Sequence, residues 1–536
     1  MEIVRFYTKH TKYKSKLCIL ILLSLTSSVL ALSLPVLIGR LIDVLMMTQD
    51  SYLLFMNSLC VALFGILRLV MSYFNKILNS GIHVSASYDI SAIVINHIHK
   101  CAISKTDKLD PAYYNHRISQ DAGIVVDYAI TLLVGIITTG SEVLLILITI
   151  FTLSPSILVI SVFLIGLYFI VYRIMKKPLY ERGKITKENQ AVYFSKMYEQ
   201  INYTKFVKAH SVKGFFLERL QQAFLKFRCA YMNNQKLTIL FKSFDDVIVI
   251  LSQMSLFIIG GNDIFSNKMT IGSFTIISSY FTRLFNAAGF FFAIGGLYQN
   301  TLVSYNRLLE ILSWKDEEIG NDKPEEVFCI SLRSVSFSYN EDHLLKDFSF
   351  EFSRGNIYAI SGKNGSGKSS LLQLILGLYR DRYSGSININ GIPIEDIDMV
   401  ELRKEKFGYI EQEPVLFADT ISRNVLLKQD VPFKYSMNSN GLHILDFVHR
   451  LPNTWDSTIA PKRNNLSGGE RQRIALARVL NKDCDVMVLD EPTSALDNNI
   501  IDALISHLTI VSKQKIIIIV THDDRIINIC DKVITL

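Results

Sequence analysis

The sequence predicts an all-α membrane domain of six helices followed by an α/β domain. First, the 536 residues are 49% hydrophobic with a mean hydropathy of +0.28, which is too apolar for a soluble chain of this length. Second, six apolar spans long enough to cross a bilayer lie before residue 320. Third, residues 356–376 combine a short apolar run, a glycine-rich turn and apolar residues at helical spacing, which indicates strand, loop and helix.

The apolar spans each reach the ~20 residues that cross a hydrocarbon core of ~30 Å. The fifth is the weakest, because two aspartates begin it and two glycines end it. The first lacks a small-residue cleavage site, so we expect a retained helix rather than a signal peptide. The spans cover residues 16–46, 52–78, 122–152, 156–175, 245–262 and 271–298.

Basic residues cluster on one side of the predicted membrane domain. They precede the first span and follow the fourth, whereas the turns after the first and third spans contain no Lys or Arg. This asymmetry predicts a cytoplasmic N-terminus, and six crossings return the second domain to the cytoplasm. Because the net charge of +7 is not gathered into one stripe, no nucleic-acid partner is expected.

The two inward connections, 79–121 and 176–244, are long and polar, with apolar residues at helical spacing. This pattern predicts that the membrane helices extend beyond the bilayer, with turns near 107–114 and 203–210. Long solvated loops are the alternative, although structureless loops of that length are uncommon. The predicted domains are therefore 1–314, a charged linker at 315–326, and 327–536.

Few other groups in the first domain suggest chemistry. Arg68 and Arg283 can reach the membrane interfaces, whereas Glu142 is compatible with a solute or proton role and equally with an internal ion pair. The seven cysteines form no C-x-x-C pair, and no histidine lies at a spacing typical of zinc ligands. Neither structural disulfides nor a zinc site is expected.

The glycine-rich turn at 362–369 fits the pattern G-x-x-x-x-G-K-[ST]. Its backbone N–H groups and the following helix dipole would hold a phosphate, with Lys368 on the β- and γ-phosphates and Ser369 on Mg²⁺. A turn that merely caps a helix is the alternative, but the flanking strand and helix favour phosphate binding. The predicted binding residues here are Gly362, Asn364, Gly365, Ser366, Gly367, Lys368, Ser369 and Ser370.

Two further segments suggest nucleotide contacts. Tyr339 could stack on an adenine ring, although a tyrosine at a strand end more often packs in a core. In LSGGE, Ser467 is either an ordinary helix N-cap or, with Gly468 and Gly469, part of a second anion site at a helix N-terminus. The double glycine, which is unfavourable within a helix, favours the second interpretation.

Two apolar strands end in polar residues. The run 486–489 leads to Asp490 and Glu491, which suit a Mg²⁺ contact and the polarisation of an attacking water. A pair of solvated acids is the alternative. The run 515–520 leads to His522, at the same carboxyl edge of the sheet, where open α/β folds bind ligands.

The ordered motifs resemble those of ATP-binding cassette (ABC) exporter half-transporters, and the resemblance covers essentially the whole chain. GKNGSGKS resembles the Walker A motif, LSGGE the signature, and VMVLDE the Walker B motif. The resemblance adds Gln412 as the Q-loop glutamine and Asp497 in the D-loop at 494–497, and it identifies Tyr339 as the adenine-stacking aromatic and His522 as the switch histidine. It implies that Glu491, His522 and Gln412 are catalytic and that Ser369, Gln412 and Asp490 bind Mg²⁺.

The same resemblance implies an architecture and a function. The second domain would be a P-loop NTPase cassette, and two chains, most simply identical, would pair head to tail in a bacterial inner membrane. Each ATP would lie between Walker A of one chain and the signature of the other. The inward turns near Tyr113 and Phe206 resemble coupling helices that dock on the cassettes. Residues 459–465 lack the usual glutamate, and relatives commonly continue beyond Leu536.

The expected function is ATP-driven export. Hydroxyl and amide groups in the spans, with Tyr280 and Asn286 among them, could line a polar cavity, although such residues also mediate helix packing. The layout and the Arg463-Asn-Asn approach to the signature resemble microcin-type peptide exporters, so a small antibacterial peptide is the expected solute. A lipid flippase or multidrug exporter is the alternative. An ATP-gated channel or a regulatory membrane ATPase would be another class.

Overall fold

The structure is a computed structural model that describes residues 2–47, 50–107, 111–339, 343–363, 365–427, 444–459 and 466–536. Its contacts divide the chain into two compact units. The first contains Met1–Asn96 and Pro111–Ser313, and the second contains His97–Asp110 and Trp314–Leu536. The first unit is helical and the second is built on two β-sheets.

Each of the six predicted spans lies in a separate long helix. Among the described residues, five helices are long and apolar enough to cross a membrane, namely α2, α3, α5, α6 and α8. The sixth predicted span lies in α9. The helices up to residue 312 are α1 (Glu2–His10), α2 (Lys14–Met47), α3 (Ser51–Lys100), α4 (Ile103–Thr106), α5 (Pro111–Leu153), α6 (Pro155–Asn202), α7 (Thr204–Ala209), α8 (Lys213–Phe265) and α9 (Ile271–Leu312).

The long helices continue well past the predicted spans, and short helices occupy the turns between them. The first turn begins after α3 and contains α4, so its described residues, 101–107, lie slightly before the predicted position of 107–114. The second, with α7, lies at 203–212. Residues 108–110 and the side chain of Tyr113 lie outside the described part of the chain.

Close packing joins α2 and α9 within the first unit. A side chain at Gly272 would lie 2.1 Å from the Gly39 carbonyl oxygen, so the two backbones touch. Asp43 accepts hydrogen bonds from the Gly272 amide (2.8 Å) and the Thr270 hydroxyl (2.9 Å) at the start of α9. Small residues and interhelical hydrogen bonds are the usual means of joining helices in a membrane.

Among the described residues of the second unit, nine strands form an antiparallel sheet in the order β2-β1-β4-β5 and a parallel sheet in the order β6-β7-β8-β3-β9. Six described helices, α10 to α15, accompany them. The strands are β1 (Cys329–Ser338), β2 (His343–Ser353), β3 (Ile357–Ser361), β4 (Tyr383–Ile389), β5 (Ile392–Pro393), β6 (Phe407–Ile410), β7 (Val486–Asp490), β8 (Ile516–Val520) and β9 (Lys532–Thr535). The helices are α10 (Lys368–Ile375), α11 (Met399–Glu405), α12 (Ile421–Leu426), α13 (Gly468–Leu480), α14 (Asn498–Val511) and α15 (Asp524–Ile527).

The parallel sheet is buried on both faces, as its continuous apolar strands require. In β8, Ile516 and Ile518 pack into one core cluster while Ile517 and Ile519 pack into the other. The alternation in β3 and β7 is the same. Because parallel strands end at the same edge, the loops after β3, β7 and β8 meet there.

The segment with α4 packs within the second unit. The Tyr379 hydroxyl donates to Asp107 Oδ2 (2.9 Å), and Arg382 Nη2 donates to the Ser104 carbonyl oxygen (3.1 Å). The Ser104 hydroxyl donates to Asp381 Oδ2 (2.5 Å). Ser104 and Asp107 therefore contribute to holding the first inward turn within this unit.

Candidate functional site

The glycine-rich loop lies between β3 and α10 and requires its glycines. Gly362, Gly365 and Gly367 have φ of +154°, +82° and +94°, values that residues with a Cβ rarely adopt. A side chain at Gly362 would also lie 2.6 Å from the Leu536 carbonyl oxygen. Asn364, the other predicted residue of this turn, lies outside the described residues.

The loop has the polar groups that a phosphate needs. Lys368 Nζ donates to the carbonyl oxygens of Gly362 (2.7 Å) and Lys363 (3.1 Å), which holds the ammonium group against the loop. The Ser366 hydroxyl is buried and has no hydrogen-bond partner among the described residues. Because an unpaired buried hydroxyl costs about 1–3 kcal/mol, a phosphate oxygen accepting from Ser366 would remove this cost.

Asp490 and Ser369 bring two oxygen atoms together across the site. The Ser369 hydroxyl donates to Asp490 Oδ2 (2.8 Å), and Asp490 is only 3% exposed. Burial raises the pKa of Asp490, and the hydrogen bond from Ser369 opposes that rise. A hydroxyl and a carboxylate are ligands of the type that Mg²⁺ prefers, so the residues present fit this ion.

We expect the Asp490→Asn variant without nucleotide to have a Tm at neutral pH at or above that of the wild type. Folding raises the pKa of the Asp490 carboxyl. The contribution of this carboxyl to the free energy of unfolding is therefore fully present below its unfolded pKa of about 3.9. It is lost as the pH rises through the folded pKa. The Tm difference should shrink as the pH falls, and the variant should lose the Tm increase that Mg-ATP gives the wild type. A strongly lowered Tm without nucleotide would contradict this.

Glu491 directly follows β7 and has a constrained backbone. Its φ of +47° is uncommon for a residue other than glycine, and such strain persists only where neighbours enforce it. The Glu491 amide donates to the Val520 carbonyl oxygen (2.9 Å), and its own carbonyl oxygen accepts from Gln472 Nε2 (2.7 Å). The two peptide groups on either side of the Glu491 Cα are therefore both held by hydrogen bonds.

Gln472 is a residue that the sequence analysis missed. It lies on α13, is 2% exposed, and its Oε1 accepts from the Ala495 amide (2.9 Å). One amide side chain thus connects Glu491 to the predicted D-loop. One feature of the sequence could have identified it. Gln472 is the first of positions 472, 475, 476 and 479, which recur at helical spacing and are buried, and a buried polar side chain needs hydrogen-bond partners inside the protein.

A cleft of about 580 Å³ brings together most of the predicted site residues. Gln412 and His522 are exposed there, and Glu491 and His522 also line an adjoining cleft of about 350 Å³. The first cleft is lined by Tyr339, Leu344, Gly365, Gly367, Lys368, Ser369, Ser370, Gln412, Asp490, Glu491 and His522.

Tyr339 combines packing with access to this cleft. Its hydroxyl donates to Gln373 Oε1 (2.8 Å), and its ring meets those of Phe337 and Tyr379 edge-on at 5.0 and 5.4 Å. The side chain is partly buried. Adenine stacking on its remaining surface stays a prediction.

The signature residues lie outside this cleft, as far as the structure describes its lining. Ser467 forms a capping box with Glu470, because its hydroxyl accepts from the Glu470 amide (3.3 Å) and Glu470 Oε2 accepts from the Ser467 amide (2.7 Å). Ser467 and Gly468 are exposed. A side chain at Gly469 would lie 2.4 Å from the Ala495 carbonyl oxygen, so packing alone requires this glycine.

Asp497 has two partners within the chain. It caps α14 by accepting from the Ile500 amide (3.1 Å), and it pairs with Arg473 Nη2 (2.5 Å). A nucleotide contact by Asp497 stays a prediction. The segment at 460–465, with Pro461 and Arg463, lies outside the described residues.

Comparison with known proteins matches both halves of the chain. The profile described as "ABC transporter transmembrane region" matches residues 17–288, and the one described as "ABC transporter" matches residues 345–494. An "ATP-dependent lipid A-core flippase" of Desulfotalea psychrophila is 26% identical over 92% of this chain and 87% of its own length. A "putative multidrug export ATP-binding/permease protein" of Bacillus subtilis is 24% identical over 100% of this chain and 95% of its own.

A solved structure supports the fold. The structure of a bacterial Atm1-family ABC exporter with ATP bound matches this chain with a TM-score of 0.83 and 20% sequence identity. The match covers 98% of this chain and 94% of the other. A six-helix membrane domain followed by a P-loop cassette is therefore confirmed as the fold class.

Proposed function

This chain belongs to the ABC transporter family, with transmembrane and ATP-binding regions in one polypeptide, and we propose that two copies of it pair head to tail to form two ATP sites. It is an ABC exporter that couples ATP hydrolysis to translocation across a membrane. We place it in a bacterial inner membrane, with the N-terminus and cassette on the cytoplasmic side, from the positions of the basic residues.

The observation that supports pairing is the incomplete phosphate site. The cleft around Lys368 contains the loop and both carboxylates, but the signature helix α13 begins elsewhere, with Ser467 and Gly468 exposed. An exposed helix N-terminus is suited to an anion, and the Ser467 hydroxyl and amide would exchange their bonds to Glu470 for bonds to the phosphate. Head-to-tail pairing would supply these groups from the second chain.

The proposed mechanism assigns each step to a residue of the cleft. The loop amides and Lys368 would hold the phosphates, and Ser369, Asp490 and Gln412 would hold Mg²⁺, whose positive charge would offset that of the phosphates. Glu491, held by its fixed backbone, accepts a proton from the attacking water. His522, on the loop after β8, lines the same cleft and would contact the γ-phosphate.

A polar stripe on α9 supports a path for a solute with hydrogen-bonding groups. Thr275, Ser279, Thr282 and Asn286 repeat at helical spacing, and Thr282 and Asn286 are exposed. The neighbouring apolar side chains of α9, such as Phe281, are buried. Amide and hydroxyl groups are unfavourable against lipid tails, so we infer that this stripe faces the solute path between the two copies.

An amphipathic, lipid-like solute is the first candidate. The hydroxyls of Ser33, Thr138 and Ser161 donate to carbonyl oxygens of their own helices, and Tyr280 is buried and donates to the Leu32 carbonyl oxygen (2.6 Å). These hydroxyl groups are therefore already satisfied within the protein, as is that of Thr275, and this leaves few of them for a broad peptide cavity. The relatives named lipid A-core flippase and multidrug exporter support the same choice.

A small peptide is the second candidate, supported by the amide and hydroxyl groups of the α9 stripe and by the resemblance to microcin-type exporters. The two carboxylates with His522 favour turnover over an ATP-gated channel or a purely regulatory ATPase. Purified protein in lipid vesicles should show solute-stimulated hydrolysis and ATP-dependent uptake. Stimulation by peptides alone would replace the lipid candidate, and turnover without any solute movement would contradict export.

The combined substitution Thr282→Val and Asn286→Leu should reduce solute-stimulated ATPase activity and uptake about tenfold while leaving basal hydrolysis unchanged. The reason is that it removes hydrogen-bonding groups worth about 0.5–1.5 kcal/mol each without touching the cassette. Thr149→Val is a matched control, because that hydroxyl donates to the Leu145 carbonyl oxygen of its own helix. Equal losses in both variants would remove the α9 stripe from the solute path.

A further inference from the structure

Three metal-binding side chains meet near the start of the second unit. His97, Cys101 and Asp316 each offer a ligand atom, and these atoms all lie within 4.8 Å of one another. His97 Nδ1 lies 3.2 Å from Asp316 Oδ1. No zinc site was expected from the sequence, because His97 and Cys101, four residues apart, meet a carboxylate far along the chain only after folding.

Backbone hydrogen bonds hold this cluster in place. The Cys101 amide donates to the His97 carbonyl oxygen (3.0 Å), so the two side chains lie on one face of a helical turn. Cys101 and Asp316 form an antiparallel bridge, and the Glu317 amide donates to the Lys100 carbonyl oxygen (2.7 Å). The three ligands are therefore brought together by main-chain geometry and not only by their own attraction.

We propose that His97, Cys101 and Asp316 bind a divalent transition-metal ion of the Zn²⁺ type. Thiolate, imidazole and carboxylate are the ligands that Zn²⁺ takes, and a thiolate disfavours Mg²⁺ and Ca²⁺. Bonds of about 2.0 Å to a nitrogen and an oxygen place those atoms about 3.3 Å apart in a tetrahedral site, close to the separation of His97 and Asp316. Three protein ligands leave the fourth position to water.

The alternative is that His97 and Asp316 form a simple ion pair and that the Cys101 thiol binds nothing. Asp316 is 58% exposed, and such exposed pairs contribute little, whereas Cys101 is only 6% exposed and lies against the pair. His97 Nε2 is buried and has no hydrogen-bond partner within the described chain. Nδ1 therefore faces Asp316 and is the nitrogen that would bind an ion.

The same unpartnered nitrogen indicates an exchangeable ion. Tightly held structural zinc sites usually fix the outer nitrogen of each histidine with a hydrogen bond, which His97 lacks among the described residues. The ion would fix the start of the segment at 101–107, whose Ser104 and Asp107 bond to Arg382 and Tyr379 just after α10. Occupancy would therefore stabilise the docking of this segment on the ATP-binding domain.

The test uses the full-length protein in lipid nanodiscs, purified with a tag that contains no histidine and titrated with Co²⁺ in excess Mg²⁺. We expect one Co²⁺ per chain, a thiolate-to-cobalt charge-transfer band, and displacement by Zn²⁺. Cys101→Ser should abolish the band, and His97→Ala and Asp316→Asn should each weaken Zn²⁺ affinity at least about tenfold. His99→Ala and Cys229→Ser, which change exposed residues outside the cluster, should bind as the wild type does.

A second measurement covers variants that fail to fold. In the unmutated protein, Zn²⁺ should slow alkylation of Cys101 at least about tenfold, with the exposed Cys229 as an internal reference. Equal alkylation rates with and without Zn²⁺ would overturn the proposal. A charge-transfer band that persists in Cys101→Ser, or equal losses in the His99→Ala control, would do the same.

Discussion

Replacing Glu491 by glutamine is expected to abolish multiple-turnover ATP hydrolysis while ATP still binds. The amide cannot accept the proton of the attacking water, and a positioned general base contributes about 10²–10⁴-fold. The substitution keeps the shape of the side chain, and the backbone contacts with Val520 and Gln472 do not involve the carboxylate. Hydrolysis by the purified variant and binding of a fluorescent ATP analogue measure the two quantities separately.

Glu413→Gln is a matched control for this experiment. It removes one exposed carboxylate from the segment next to Gln412 and leaves the loop after β7 intact. We expect turnover within about twofold of the wild type, as for surface substitutions away from special features. Turnover near the wild-type rate in Glu491→Gln would contradict the assignment of the base.

Mixed dimers of Lys368→Ala and Ser467→Arg chains should recover hydrolysis that neither variant has alone. In each mixed pair, the intact loop of one chain would face the intact signature of the other, so one of the two composite sites is complete. The first change removes the phosphate-binding ammonium group, and the second places a bulky cation at the exposed helix N-terminus. We expect at most about half of the wild-type rate in pairs isolated through two different tags, since one of two sites is complete, and less than half where the two sites are coupled.

The outcome depends on proof that mixed pairs form. Pairs of Lys368→Ala with Lys368→Ala, isolated through the same two tags, provide the inactive control. If mixed pairs carry both tags and still show no hydrolysis above that control, ATP sites shared between chains are excluded for this protein.

The membrane helices could be located from sequence because apolar runs of this length have few other solutions in a bilayer. Their extension beyond the bilayer was also predictable, from apolar residues at helical spacing in the polar connections. The fifth span, 245–262, belongs to a helix that begins at Lys213, close to the predicted turn at 203–210. The helix α1 was missed because its buried face consists only of Ile3, Phe6 and Tyr7.

The site residues that belong to one continuous motif were predictable from sequence. In the loop at 362–369, the glycines and Lys368 lie within a single turn, so the arrangement of its phosphate-binding groups follows from local sequence. Gln472 was not predictable, because its contacts depend on how closely α13 approaches the loop after β7. His97, Cys101 and Asp316 were missed for the same reason, since folding brings them together from distant parts of the chain.

In the proposed dimer, the helix that carries Gln472 contacts both ATP sites. Ser467 caps the start of this helix and would meet ATP bound to the other chain. The Gln472 side chain donates to Glu491, which would act on ATP bound to the same chain. A shift of this helix when one nucleotide binds would therefore displace the base at the other nucleotide. Hydrolysis at the two sites then becomes cooperative, and the rate depends more steeply on ATP concentration than two separate enzymes would allow.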